Sequence, residues 1–182
     1  MQLRIALASL LLAACAPFSP TSPEDPVVDA LLIGEQHDAA EHPRLQREWV
    51  ERLAGPGRLA GVTVEMAEQG TSTGGLSRAA TDEQVRQALR WNAQSWPWER
   101  YGPVIMAAVR AGVPVLGANL PRAEMRQAMG DRTLDQLLPG PALKAQQQAI
   151  RQGHCDLLPE TQVGPMTRVQ IARDRAMAQT IA

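Results

Sequence analysis

The alternation of apolar and polar stretches along the chain predicts short strands separated by amphipathic helices. Residues 31–33 (Leu, Leu, Ile) form an apolar run that stops at Gly34 and predicts a buried strand. Leu45, Trp49 and Leu53 then recur at steps of four, one face of a helix over 43–53 that Gly55, Pro56 and Gly57 terminate. The β-branched run over 59–66 predicts a second strand ending beside Glu65, and 113–119 predicts a third with Asn119 at its exit. Between them, 69–77 is a Gly/Ser/Thr-rich loop, and Thr81 followed by Gln84 has the form of a capping box opening a helix through Leu89. Pro103 predicts the start of a helix over 104–110 that Gly112 ends. Further helices are predicted over 121–129 and 141–152, and a last one from Pro165. In that last helix Met166, Val169, Ala172, Ala176 and Met177 form an apolar face with too little sheet to cover it.

The expected fold class is therefore α/β, a mostly parallel sheet with helices on both faces. Three strands fall short of the usual four to six, so the sheet is expected to be incomplete. The 182 residues suffice for one domain. A formal net charge of −1 provides no electrostatic footprint for nucleic acid.

The N-terminus predicts a targeting segment. Arg4 precedes an apolar stretch over 5–12, of signal-peptide length and too short to span a bilayer, and Leu12-Ala-Ala-Cys15 has the form of a bacterial lipobox. Residues 1–15 are thus read as a lipoprotein signal peptide with Cys15 as the lipidated residue, and 16–26, rich in Pro and Ser, as a tether. The folded domain is expected over 27–182. Ala16, rather than Asp, follows the cysteine and points to the outer membrane, facing periplasm or surface. With Cys15 acylated, Cys155 has no intramolecular partner and no structural disulfide is expected.

Candidate chemistry begins at the end of the first apolar run. Glu35, His37 and Asp38 follow it at once, and in an extended segment residues i and i+2 point the same way, so Glu35 and His37 converge. Ligands of open α/β sheets bind beyond the carboxyl ends of strands, where Glu65 is also expected. A plain turn with a helix cap at Asp38 fits the same residues. Aromatics are only 3% of the chain, yet 91–101 holds three of four tryptophans and the single tyrosine: Trp91, Trp96, Trp98 and Tyr101. Such a cluster closes a core or forms a flat wall for a planar ligand. His154 beside Cys155 is a further candidate donor to a metal or haem.

Together these stretches resemble the ChaN family. The resemblance rests on Leu-Ile-Gly-Glu-Gln-His-Asp38, Val-Glu-Met66, Asp-Glu-Gln-Val with Trp91, Trp-Pro-Trp-Glu-Arg-Tyr-Gly-Pro103, Gly-Val-Pro-Val-Leu-Gly-Ala-Asn-Leu-Pro-Arg122, His-Cys155 and Gln-Ile-Ala-Arg-Asp174. It covers nearly the whole chain after the tether, in order. The resemblance implies a surface lipoprotein that binds haem for iron acquisition, with pairing of two copies. It places the family in a superfamily with TIKI-type metalloproteases, whose metal site involves two Gly-x-x-His motifs and a glutamate. Gly34 to His37 matches the first motif and Glu65 the glutamate. A later Gly-Asn-Gly-His-like segment is expected and does not occur before Ala182, so the chain resembles a member truncated at its C-terminus. Three functions stay open. One is a lipid-anchored haem-binding protein with Tyr101, His37 or His154 as axial ligand and Trp96 and Trp98 as wall. Another is a hydrolase with a divalent metal on Glu35, His37 and Glu65. The third is a non-catalytic lipoprotein with a vestigial site.

Overall fold

The computed structural model describes residues 28–182, so Cys15 and the predicted signal peptide and tether lie outside the described residues. In chain order the elements are α1 (His42–Ala54), β1 (Val62–Glu68), α2 (Asp82–Ala88), α3 (Trp98–Ala111), β2 (Val115–Asn119), α4 (Met125–Gly130), α5 (Gly140–Gly153) and α6 (Glu160–Ile181). Two short 3₁₀ turns, Arg122–Glu124 and Arg132–Gln136, flank α4.

Among the described residues the sheet has two strands, β1 and β2, parallel and in register from Val62 opposite Val115 to Val64 opposite Gly117. The register then shifts, bringing Glu68 opposite Asn119. On its other edge β2 meets the loop after β1: the Thr73 amide donates to the Val115 carbonyl (2.9 Å) and the Gly117 amide to the Thr71 carbonyl (3.0 Å). Gly117 makes this crowding possible, since a Cβ there would overlap the Glu68 carbonyl oxygen and the Thr71 hydroxyl.

Two layers of side chains sandwich this sheet. On one face Val85, Leu89, Ile105, Met106, Ala108 and Val115 pack with α1, α2 and α3. A second cluster joins Leu120, Ala128 and Leu134 to Val169, Ile171, Ala172 and Ala176 of α6. An isolated pair of strands is marginal in water, and helices on both faces supply the burial that it lacks. α6 is fastened by polar contacts as well. Gln69 donates to the Ala176 carbonyl (3.1 Å). Arg168 grips both Asp135 oxygens and donates to the Met129 carbonyl.

The class and the two-sided helical cover agree with the sequence, but several elements differ. Residues 31–33 are not a strand. They lie outside any ladder and exposed, Leu32 at 78%, because an apolar run becomes a strand only where a neighbour completes its ladder. β1 begins at Val62 and runs on to Glu68, which places Glu65 inside the strand rather than at its exit.

α3 and α6 each start five residues before the proline expected to open them. Pro103 and Pro165 are each the sixth helical residue. The carbonyls they leave without an amide partner belong to exposed first-turn residues, Glu99 and Thr161, which water can serve. The region predicted as one helix over 121–129 is a 3₁₀ turn followed by α4. The apolar face of α6 is covered, with Val169 and Ala172 buried, since α4, α5 and β2 pack over it.

The face of α1 is also rotated. Leu45 is exposed, whereas Pro43 and Val50 are buried and Gln46 is turned partly inward. The capping box of α2 forms as predicted: the Gln84 amide donates to the Thr81 hydroxyl, and the Gln84 side chain accepts from the Thr81 amide.

Candidate functional site

The polar end of the 31–38 stretch folds back onto the start of α3. Asn92 opens the approach by accepting from the amides of Gln94 and Ser95 through its side-chain oxygen, an Asx turn. The Trp91 indole donates to the Trp96 carbonyl (2.9 Å), and Pro97 then leads into α3. Arg100 and Tyr101 stand in the first turn of that helix and reach the 35–39 segment from below.

Glu35 is the hub. One of its carboxylate oxygens accepts from the Tyr101 hydroxyl at 3.0 Å and lies 3.1 Å from His37 Nδ1. The other accepts from Gln46 Nε2 at 3.1 Å. Arg100 approaches the first oxygen at 3.7 Å and donates to the carbonyls of Ala39 (2.7 Å) and Gln36 (3.4 Å), clamping the turn that carries His37. The turn is closed further by the Gln36 amide donating to His42 Nδ1 (3.0 Å). Asp38 takes no part as a cap, because α1 is preceded by Glu41.

The Glu35 side chain is only 6% exposed, and burial alone would push its pKa up. Hydrogen bonds from His37, Gln46 and Tyr101 outweigh that and hold the carboxyl below its usual range. Burial, reinforced by the adjacent Glu35 carboxylate, raises the Tyr101 phenol above its usual range, so it is a neutral donor at physiological pH.

Aromatic rings close the site. Trp96 stands edge-on to both Tyr101 (5.7 Å between centroids) and His37 (4.9 Å), with the His37 side chain 48% exposed. Trp91 lies edge-on to Trp98 at 5.1 Å and tilted to Tyr101 at 6.1 Å. Tyr101 itself is 4% exposed, screened by His37, Trp96 and Glu35.

The structure thus joins Glu35, His37, Tyr101 and Trp96. The other predicted residues are placed elsewhere. Trp98, expected in a ligand wall, is buried in the first core cluster and its indole donates to Asp82 (2.8 Å). His154 ends α5, where Nδ1 meets the Ile150 carbonyl at 2.8 Å, and it touches none of the four. Glu65 is not assembled with Glu35 and His37. Val64 and Met66 pack on the α3 side of the sheet, so the intervening Glu65 is turned to the opposite face. Among the described residues no group of three His, Cys, Asp or Glu is placed to hold a metal ion, and Glu65 does not complete a set with Glu35 and His37. Cys155 is a free thiol at the surface.

Sequence reasoning missed Gln46 and Arg100. Gln46 falls on the polar side of the predicted α1 face, and only the observed rotation of that face turns it to Glu35. The placement of Arg100 beside Tyr101 becomes informative only once α3 is known to start at Trp98.

A family profile described as "Haem-binding uptake, Tiki superfamily, ChaN" matches residues 27–182. The chain belongs to the ChaN family. Among solved structures, the chain resembles one titled "Cofacial heme binding to ChaN of Campylobacter jejuni". That likeness has a TM-score of 0.66 at 21% identity and covers 81% of this chain. The match spans 63% of the Campylobacter jejuni ChaN chain. A comparison with curated proteins found no match. At this identity the Campylobacter ChaN structure attests the shared fold, and the role of the Glu35 site is argued from its own geometry.

Proposed function

We propose that this ChaN-family chain binds haem for iron acquisition, with Tyr101 as the axial donor to ferric iron and Trp96 as the apolar contact beside the ring. The observation that carries this reading is the meeting of Tyr101 and His37 at Glu35 with Trp96 edge-on to both, the place among the described residues where two of the three predicted donors stand beside an aromatic ring. The donor set fits the group. A phenolate is a hard, anionic ligand that favours ferric haem, and haem held this way supplies capture rather than oxygen chemistry.

The chain's own residues have defined tasks in this reading. Tyr101 is a neutral phenol in the free protein, so coordination requires that its proton leave. Glu35 already accepts the Tyr101 hydrogen bond at 3.0 Å and so lies on the path by which that proton would pass to solvent. His37, whose Nδ1 lies 3.5 Å from the Tyr101 hydroxyl, covers that hydroxyl from the exposed turn. Access therefore requires the 36–39 turn to swing outward, against the hydrogen bonds that Arg100 makes to it.

The family membership supports the same reading. Pairing of two copies would shield a ring held this near the surface. The lipobox ending at Cys15 supports a lipid anchor in the outer membrane: Cys15→Ser is expected to release the chain from the membrane fraction, and continued fatty-acid labelling of that variant would refute the anchor.

The haem reading is tested by titrating the purified protein with haemin. A Soret band shifted from that of free haemin is expected. Tyr101→Phe should alter its position, and Trp96→Ala should weaken binding chiefly through lost contact area. A spectrum that remains that of free haemin throughout the titration rejects haem binding by this chain.

A further inference from the structure

The turn that covers Tyr101 is lightly held. The residues leading into it, Leu31, Leu32 and Ile33, are exposed, and a Cβ added at Gly34 would meet nothing within 4 Å, so its upstream arm is unpacked. Gln36, His37 and Asp38 are exposed as well. Segments with so few buried contacts are the ones that open first. The polar contacts that fasten the turn come from three places. Arg100 Nη2 donates to the carbonyls of Ala39 (2.7 Å) and Gln36 (3.4 Å). His37 Nδ1 lies 3.1 Å from a Glu35 oxygen and 3.5 Å from the Tyr101 hydroxyl. The Gln36 amide donates to Nδ1 of His42, the first residue of α1, at 3.0 Å. A backbone amide only donates, so His42 Nδ1 must be the acceptor and must carry no hydrogen.

We infer that the 36–39 turn is a gate over the Tyr101 hydroxyl, released by acid, and that His42 is its latch. His42 is a positioning residue that acts on Tyr101 only through the turn. An imidazolium carries a hydrogen on both ring nitrogens, so protonation turns the acceptor of the Gln36 amide into a second donor facing it. The guanidinium and carbonyls of the Arg100 clamp keep their charge state, and that clamp does not sense acid. His37 works in the opposite sense, because an imidazolium there pairs with the Glu35 carboxylate. The remaining charged side chains around the latch are Asp38 on the turn, Glu41 and Arg44 beside it on α1, and Glu99 and Arg100 at the start of α3. Carboxylates ordinarily titrate near pH ~4, below the histidine range, which leaves the two histidines as the opposed sensors. The use of the gate rests on the haem reading above, since it names what controls access to the donor. The gate itself is a property of the free protein.

The test reads the gate without haem. Tyr101 is the single tyrosine of the chain and is 4% exposed, so hydroxyl-radical labelling of tyrosine, followed by mass spectrometry of the full chain, reports the open population directly. Wild type is compared with His42→Asn, whose side-chain oxygen can accept from the Gln36 amide but does not titrate, and with His42→Leu, which has no acceptor. The comparison is made at about pH 8 and about pH 5.5, across the range in which histidines change charge. Taking the ratio of wild type to His42→Asn cancels the opposing effect of His37. That ratio is expected to be near one at the higher pH and to rise about two- to tenfold at the lower, the scale of one net hydrogen bond. His42→Leu should be labelled more than His42→Asn at both. The rate at which haemin associates, followed by stopped flow, should change by the same ratio. A wild-type to His42→Asn ratio that does not move with pH, or a His42→Leu protein as protected as His42→Asn, overturns the gate. If haemin still gives a shifted Soret band in that case, ligation by Tyr101 stands without it. An acid-dependent ratio found together with an unshifted haemin spectrum upholds the gate and rejects Tyr101 as ligand.

Discussion

Gly102→Ala offers a sharp test of how the aromatic cluster is held. Gly102 lies inside α3, one residue after Tyr101. In an ordinary helix this exchange stabilises by ~0.5–1 kcal/mol, because alanine has the lower conformational cost. Here the added Cβ would meet Trp98 Cε2 and Nε1 at 2.6 Å and Cδ1 at 3.0 Å. Trp98 has little room to yield. It is 8% exposed, donates to Asp82 at 2.8 Å and stands edge-on to Trp91. Overpacking of this kind costs ~1–3 kcal/mol, and displacing the indole weakens a hydrogen bond worth ~1 kcal/mol, against the helix gain. The net expectation is a loss of ~1–3 kcal/mol, which for a domain of this size is a fall in Tm of roughly 3–10 °C. Urea unfolding and a thermal melt followed by circular dichroism measure it. Repeating Gly102→Ala in a Trp98→Leu background isolates the cause, since the same change should there be neutral or stabilising. A Gly102→Ala protein more stable than the parent in the wild-type background would refute the reasoning.

Other outcomes follow from the same contacts. Gly117→Ala should be more damaging than Gly102→Ala, by roughly 3 kcal/mol or more, because its Cβ overlaps the Glu68 backbone rather than a side chain that can rotate; loss of cooperative unfolding in urea is the measurement, and near-parental stability would count against it. Glu35→Gln tests the pH dependence of the hub. The Glu35 carboxyl is held below its ordinary value of 4.5, so the charged form favours the folded state. That contribution is fully present above the unfolded pKa and is lost as pH falls through the folded one. The Tm of wild type relative to Glu35→Gln should therefore be higher near neutrality, and the difference should shrink as pH falls below the ordinary value of 4.5. A constant difference across that range would exclude the hydrogen-bonded carboxylate as its source.

Local signals foretold local features. Thr81 and Gln84 satisfy each other at the start of α2 whatever surrounds them, and the capping box is visible in four letters. Gly112 ends α3 with φ of +81°, where a side chain would be strained. Glu35 and His37 lie two residues apart and do converge, though on a turn over 36–39 rather than on an extended segment. The proline signals misled for a related reason. A proline reports only that its own amide is missing, and Pro103 and Pro165 sit where the orphaned carbonyl faces water, so each helix extends back past it.

Other features needed the assembled chain. Residues 31–33 carry the composition of a strand, but a ladder requires a second backbone at hydrogen-bonding distance, and no local pattern supplies one. Glu65 has the right identity for a shared site and the wrong face, a matter of where β1 stops and which of its sides meets α3. Gln46 and Arg100 look like ordinary surface residues in one dimension. The rotation of α1 and the early start of α3 turn them toward Glu35. Sequence alone determined the helical and strand-like character of most segments, together with the clustering of aromatics near Tyr101, because those depend on neighbours within a turn or two. Tertiary structure decided which candidates share a site, because residues 66 positions apart, such as Glu35 and Tyr101, meet only when α3 packs beneath the turn that precedes α1.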